Sequence, residues 1–459
     1  MTIIYNGLSG ALAAQAALDA VSQNVANAMT PGYTRQGVLL ASLQPLRGGV
    51  MSAGVGVQVS SLLRFSDGYK SQQMWSAASE LGRYSAPQTY LAQLEQIFGD
   101  DESGINSGLD AFFAALNAAS VEPTSSPLRQ QVITTADALA QRFNSASQVL
   151  QRQRASLGQQ RSIIASQVNT LAAQIAALNQ KIVESSNGGV NPSGLMDERD
   201  LKIDELAGLV SLQVTEQPDG SRSVSLRGGQ PLVVGGRAGE LTVQNNADGS
   251  QTIIVDFALE SFNLVDGRIG GQLGGLNAFE ADVLVPMMTS ITEMAQQLAD
   301  NVNNQLAAGF DMNGAAGQPL FDFTVSGATG VLAVRAGALP TELAFSSNPA
   351  EVGDSANLLA LIELKSQPVT LTSLGSVSLS DAVTQLVARL GMDSQQNKAG
   401  LATAQAVRNQ AEASWKSTSG VNMDEEAVNL MQYQQMYQAN MRVVAVANEL
   451  FDSTLAMLR

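Results

Sequence analysis

Residues 423–458 read Met423-Asp424-Glu425-Glu426-Ala427-Val428-Asn429-Leu430-Met431-Gln432-Tyr433-Gln434-Gln435-Met436-Tyr437-Gln438-Ala439-Asn440-Met441-Arg442-Val443-Val444-Ala445-Val446-Ala447-Asn448-Glu449-Leu450-Phe451-Asp452-Ser453-Thr454-Leu455-Ala456-Met457-Leu458. No Gly or Pro interrupts them. Met423, Ala427, Leu430, Gln434, Tyr437, Met441, Val444, Asn448, Phe451, Leu455 and Leu458 recur in strict four–three alternation, the seam of a coiled helix. A helix of this length spans about 54 Å. A second seam lies beside the first, at Tyr433, Met436, Asn440, Val443, Ala447, Leu450, Thr454 and Met457, displaced by one residue or about 100° around the axis. A helix that is apolar along two adjacent seams needs more than one neighbour. Burying one seam returns less than ordering the backbone costs, so this end is expected to stay largely unfolded in a lone copy and to fold when copies pack. The same stripes also suit an ordinary bundle with the rest of the chain.

Working outward, residues 1–30 form a second candidate end helix. They are Ala-rich, lack internal Pro, and carry Asp19 as their only charge. Ile4, Leu8, Ala11, Gln15, Leu18, Ser22 and Val25 make a poorer seam of smaller residues. Thr30-Pro31-Gly32-Tyr33 stops it. Candidate subunit-packing residues are Leu8, Leu12, Leu18 and Val25 at the front. At the back they are Met423, Leu430, Tyr433, Tyr437, Met441, Val444, Leu450, Phe451, Leu455 and Leu458.

Between the ends the chain reads as mainly α with β insertions. The expected segments are an N-terminal assembly helix with loop and strands (1–66) and a helical body (67–210, helices near 70–98, 105–119, 127–185 and 195–210). An antiparallel β insertion follows (211–275). The body then returns (276–317), a small β patch follows (318–350), and the body returns again (351–420, helices near 354–365, 378–390 and 393–418). The C-terminal assembly helix closes the chain (421–459). The arrangement is an elongated helical body whose two ends lie side by side, with the β units at the far tip.

Composition narrows the function. The 459 residues carry 25 Lys+Arg against 41 Asp+Glu, a net charge of -16, which disfavours nucleic acid. There is no His and no Cys, which removes His-based acid–base catalysis, Ser–His and Cys–His nucleophiles, structural zinc, iron–sulfur clusters and disulfides. Charged residues are only 14%, and surfaces low in charge often meet other protein. No stretch approaches 18 uninterrupted apolar residues, so no membrane insertion is expected. The start, Met1-Thr2-Ile3-Ile4-Tyr5-Asn6, lacks the basic region of a cleavable secretion signal; export would take another route.

Several local patterns invite chemistry and read better without it. Asn422 before Asp424-Glu425-Glu426 is an N-cap with acids at the positive helix end. Asp197-Glu198-Arg199-Asp200 reads as a solvated helix start with a local ion pair. Asp311-Met312-Asn313-Gly314 begins like a calcium loop, but Ala315 and Ala316 occupy the places that need an oxygen ligand and Gly. Gly54-Val55-Gly56-Val57-Gln58-Val59 lacks the third Gly of a dinucleotide loop and reads as strand. No metal or cofactor is expected. Tyr433, Tyr437, Gln434 and Gln435 are placed to fix register between packed helices.

Three blocks carry a resemblance. The front has Gly7-Leu8-Ser9-Gly10-Ala11-Leu12, Ala17-Leu18-Asp19-Ala20-Val21-Ser22-Gln23-Asn24-Val25-Ala26-Asn27 and Thr30-Pro31-Gly32-Tyr33-Thr34-Arg35-Gln36. The back has Gly420-Val421-Asn422-Met423-Asp424-Glu425-Glu426-Ala427-Val428-Asn429-Leu430 and Glu449-Leu450-Phe451-Asp452. The middle has Leu195-Met196-Asp197-Glu198-Arg199-Asp200, Gly270-Gly271-Gln272-Leu273-Gly274-Gly275-Leu276 and Gly309-Phe310-Asp311-Met312-Asn313-Gly314. Together they resemble the axial proteins of the bacterial flagellum, the rod, hook and hook-associated proteins. One departure is Asn303-Asn304-Gln305-Leu306, where the family often has His.

The resemblance implies a non-enzymatic, secreted structural protein at the hook–filament junction, exported unfolded through the flagellar type III apparatus. Its implied partners are sister subunits, the hook protein, the distal hook-associated protein, and a cytoplasmic export chaperone on the C-terminal helix. Rival readings are another axial protein, a tip adhesin, or a carboxylate glycan hydrolase using Glu240 and Asp256, with Asp219 and Asp248 set aside in Asp-Gly turns.

Overall fold

A computed structural model describes residues 2–43, 56–100, 104–247, 249–264, 269–326 and 329–457. Helix α1 (Thr2–Ala26) leads into an antiparallel hairpin, β1 (Gln36–Ser42) with β2 (Val57–Arg64). Gly54 and Val55 of the glycine-bearing stretch lie outside the described residues. Four body helices follow: α2 (Gly68–Phe98), α3 (Ile105–Val121), α4 (Ser126–Asn187) and α5 (Ser193–Leu209).

Helix α4 is the spine. Its 62 residues run about 93 Å. Along it Val132, Leu139, Leu150, Leu157, Ile164, Val168, Ile175 and Ile182 are fully buried at helical spacing. Helix α3 covers its first half through Phe112 and Phe113, and α5 its last half through Ile203 and Leu206.

The chain then makes seven short strands. β3 (Leu212–Glu216), β4 (Arg222–Leu226), β5 (Pro231–Val234) and β6 (Arg237–Ala238) form one sheet in sequence order. β7 (Glu240–Asn245), β8 (Gln251–Phe257) and β9 (Glu260–Asn263) form another. Helix α6 (Gly271–Phe279) passes through one π-helical turn, Glu280–Leu284, into α7 (Val285–Ala307). A further hairpin, β10 (Phe321–Ser326) with β11 (Thr329–Val334), precedes α8 (Ala356–Glu363). A hairpin of β12 (Pro368–Leu371) and β13 (Gly375–Ser378) leads to α9 (Leu379–Ser419) and α10 (Met423–Met457).

The class expected from sequence, mainly α with small antiparallel sheets, is the class observed. Three details differ. The helices expected at 378–390 and 393–418 are one helix, because Leu390 and Ser394 on either side of Gly391 are buried and α9 packs along α2, where Ser394 donates to Glu95, and packing overrides the propensity of one Gly. The β12–β13 hairpin sits where only helical body was expected. The β units are not gathered at a far tip either. They are strung along α4, docked by asparagines that grip a strand's backbone at both N–H and C=O.

Asn179 holds Arg222 in this way, Asn169 holds Leu241, and Asn144 holds Leu332. Asn303, from the segment that departs from the axial-protein pattern, does the same from α7 to Leu320 and Phe321.

Candidate assembly surface

Helices α1 and α10 lie antiparallel against each other, Gly7 beside Val444 and Gly10 beside Asn440. A Cβ on Gly10 would stand 2.4 Å from Asn440 Oδ1, and one on Gly7 would stand 2.9 Å from Val444 Cγ2. Glycine inside a helix costs about 1 kcal/mol relative to alanine, and here the Asn440 and Val444 side chains, with Asn440 O 3.1 Å from a Cβ on Gly7, fill the space a larger residue would need. Ala11, Ala13, Ala14, Ala17, Ala20 and Val21 are buried on the same helix, against α10 and the β1–β2 hairpin.

On α10 the side facing α1 is Glu426, Asn429, Tyr433, Met436, Asn440, Val444 and Ala447, all buried or half-buried. This is close to the second seam read from sequence. The first seam is left open: Met423, Leu430, Tyr437, Met441, Phe451 and Leu455 are exposed. Beyond Ala447, residues 448–457 are exposed without a break, an overhang of about 15 Å. At the front, Leu8, Leu12 and Val25 are exposed and Leu18 is half-buried. Tyr433 and Val444 therefore meet α1, Leu450 lies on the overhang, and Leu458 lies outside the described residues. The expectation that a lone copy leaves both ends without structure narrows accordingly. Each end is a helix covered by the other along one seam, and the uncovered seam and overhang remain.

Both chain ends enter the body at one buried junction. Asn24 of α1 accepts hydrogen bonds from the Tyr33 hydroxyl and from Gln36 N, each at 2.9 Å, and donates to Gln36 O. Arg35 N donates to Ser419 O at 2.8 Å, and its guanidinium reaches Glu425 at 2.7 Å while lying over the Phe65 ring. Thr34 N donates to Asp197 Oδ2 at 3.1 Å. Arg64 from β2 reaches Asp197 at 2.8 Å and Asp200 at 2.9 Å, and Asp200 also pairs with Arg222 of β4. Arg222 in turn lies 5.6 Å over the Trp75 ring.

Asp197 is 7% exposed and Arg199 is 1% exposed. The solvated helix start expected at 197–200 is instead a buried ionic knot. Asp197 and Asp200 are drawn in because Arg64 and Arg222 reach them from other elements, and Arg199 because it pairs with Asp200 and donates to Asn179 Oδ1 and Gly220 O. Burial holds the Asp197 carboxyl above its ordinary range, against the pull of Arg64. Burial alone would lower the Arg64 guanidinium, yet Asp200 and Asp197 hold it above its ordinary value. Those two shifts pull opposite ways for one pair, and the contacts at 2.8 and 2.9 Å are those of the ionised form. Burial lowers Arg199 to about 10. Burial, then the negative charges of Asp197 and Glu426, push the Tyr33 phenol up to about 12.

Asn422 Oδ1 accepts from Asp424 N, as an N-cap does. The acids after it are not all solvated, since Glu426 is 2% exposed. Asp311 Oδ1 accepts from Asn313 N and Ala315 N, which makes that segment a turn. Glu240 and Asp256 face each other across the β7–β8 ladder, Glu240 exposed and Asp256 accepting from the Ser261 hydroxyl. Asp219 is capped by Ser221, and Asp248 lies outside the described residues. Among the described residues no helix is long and apolar enough to cross a membrane, and no group of three or more Asp or Glu could hold a metal ion.

The sequence pattern described as "Flagellar hook-associated protein FlgK helical domain" matches residues 91–321, from α2 to β10. The chain belongs to the flagellar hook-associated protein FlgK family. Two further patterns fall on the paired ends of this FlgK-family chain: "Flagella basal body rod protein" over 4–34 and "Flagellar basal body rod FlgEFG protein C-terminal" over 417–457. Flagellar hook-associated protein 1 of Escherichia coli (strain K12) is 27% identical, with 99% of each chain covered. The protein of that name from Bacillus subtilis (strain 168) is 27% identical, over 99% of this chain and 98% of its own. The flagellar hook junction protein FlgK from Burkholderia pseudomallei shares the fold, with a TM-score of 0.64 at 19% identity, covering 75% of this chain and all of that one. Members of this family are structural components of the flagellum, and this chain is one of them.

The junction residues Arg64, Asp200 and Arg222 were not legible as a set. The available signal was a dense charged run, Asp197 to Asp200, in a chain with only 14% charged residues.

Proposed function

We propose that the chain builds the hook–filament junction by packing the open faces of its α1–α10 pair against sister copies. One observation carries this: a row of large apolar side chains on α10, Met423, Leu430, Tyr437, Met441, Phe451 and Leu455, that the chain itself leaves exposed. Burying each large side chain of such a stripe is worth about 1.5–3 kcal/mol. The stripe is therefore strong glue between copies and an aggregation hazard before assembly. In this reading an export chaperone masks α10 in the cytoplasm, and the chain then leaves through the flagellar type III apparatus. Outside the cell, the hook protein lies on one side of the packed ring and the distal hook-associated protein on the other. The uncovered overhang orders when copies meet. The body, anchored to the pair by the ionic knot, forms the outer contacts.

Amide exchange tests this directly. Residues 448–457 exchange rapidly in the monomer and become protected in assembled junctions. Equal protection in both states removes the packing role from α10.

A further inference from the structure

The open stripe is also where the chain concentrates its accessible sulfur. There is no Cys, so methionine is the only oxidisable sulfur. Five of the 15 methionines fall on α10: Met423, Met431, Met436, Met441 and Met457. Four of these are exposed, at 52%, 56%, 43% and 80% for Met423, Met431, Met441 and Met457. Outside α10 the exposed methionines among the described residues are Met29 and Met392, while Met287, Met288 and Met294 are sealed in the core. A diffusing oxidant therefore meets the assembly stripe before it meets the core.

We infer that α10 is a redox-sensitive modification site, at which methionine oxidation by a peroxide blocks incorporation of the chain. The inference rests on the packing role proposed above. The thioether sulfur of Met441 or Met423 attacks one oxygen of hydrogen peroxide. The O–O bond breaks, a sulfoxide S–O bond forms, and the other oxygen leaves as water after proton transfer. Sulfur loses two electrons and the peroxide gains them. An apolar, flexible side chain becomes a polar one with a strong acceptor oxygen. On a stripe that must be buried between copies, that oxygen loses its water without gaining a donor. Met423 and Met441 lie on the open seam itself. Met431 and Met457 flank it, on helix surface that α1 leaves open. The step is reversible by sulfoxide reductases, so it acts as a gate rather than as terminal damage.

The test uses the full chain, hydrogen peroxide, and isolated hooks that accept added protein. Peptide mass spectrometry first shows where oxygen is gained. The expected order is the four exposed α10 methionines ahead of Met287, Met288 and Met294. The concentration for half-maximal incorporation then rises by about tenfold or more. Treatment with both sulfoxide reductases restores it. A chain with Met423→Leu, Met431→Leu, Met441→Leu and Met457→Leu keeps its own untreated incorporation after the same exposure.

Unchanged incorporation of the oxidised chain overturns the inference. So does an equal loss in the leucine chain, which places the damage elsewhere. If the leucine chain is already defective untreated, the reductase arm decides: recovery of the native chain supports the gate and no recovery overturns it. Leu430→Asp with Tyr437→Asp, without oxidant, separates the two readings. Normal incorporation of that variant sinks the packing role itself. A block there, with oxidation silent, sinks only the redox gate.

Discussion

Tyr33 stands where the chain leaves α1 for the body; its hydroxyl donates to Asn24 Oδ1, and the carboxylates of Asp197 and Glu426 act on it through their charge. Its phenol is raised to about 12, so the folded state resists ionisation that the unfolded chain allows near 10. The contribution is fully present below the unfolded value and is lost as pH rises through the folded one. Phenolate absorbance during an alkaline titration should show one late tyrosine, and Tyr33→Phe should remove that late step. A titration without any tyrosine lagging the others refutes the placement.

Asp200 holds the neighbouring knot together. It faces Arg64 and Arg222, whose side chains are 10% and 7% exposed. Arg64 would keep Asp197 and Arg222 the exposed Glu216, but the buried Arg199 would lose the carboxylate it pairs with, so Asp200→Ala should cost about 3–5 kcal/mol in denaturant unfolding. The pair of Lys202 and Glu205 on the same helix is a control: Glu205→Ala should change stability by less than about 0.5 kcal/mol, because Glu205 lies largely in water.

Helices and sheets meet here through asparagine. Asn24, Asn144, Asn169, Asn179 and Asn303 each sit on a helix and close both hydrogen bonds with a strand residue's backbone. Only a side chain with one donor and one acceptor in a plane can do this. Asn169→Asp keeps the size but cannot donate to Leu241 O, and should cost about 1–3 kcal/mol, read from thermal unfolding. Loss of stability no greater than for an exposed asparagine on α4 counts against the clasp.

The same residues show why some of the fold was readable and some was not. Helices α4 and α10 announce themselves by apolar spacing, and the strands of 212–263 by β-branched runs between Gly turns. Both signals are local. An asparagine in a helix reads locally as a weak former or a cap, and its strand partner lies tens of residues away. The charges at 197–200 misled for that reason too, since their partners come from β2 and β4. On α10 both seams were visible in the sequence, but which one α1 takes depended on Gly7 and Gly10 fitting against Asn440 and Val444.

At the scale of the molecule, stability and assembly separate along the chain. The core runs along α4 from α3 to α5 and the sheets, and the ionic knot fixes the paired ends to it. The last ten described residues of α10 touch neither, for all of 448–457 is exposed. A segment so exposed contributes little to folding, whereas four large apolar side chains in it, Leu450, Phe451, Leu455 and Met457, are retained in water. Ending the chain at Ala447 should therefore leave the denaturant midpoint and helical signal of the body unchanged within about 0.5 kcal/mol. The same truncation should abolish incorporation into hooks, because the surface it removes has no use inside one copy. A truncated chain that unfolds early places the overhang in the fold after all. One that folds and still incorporates shows that contacts of the body, and not the end helices, hold the junction together.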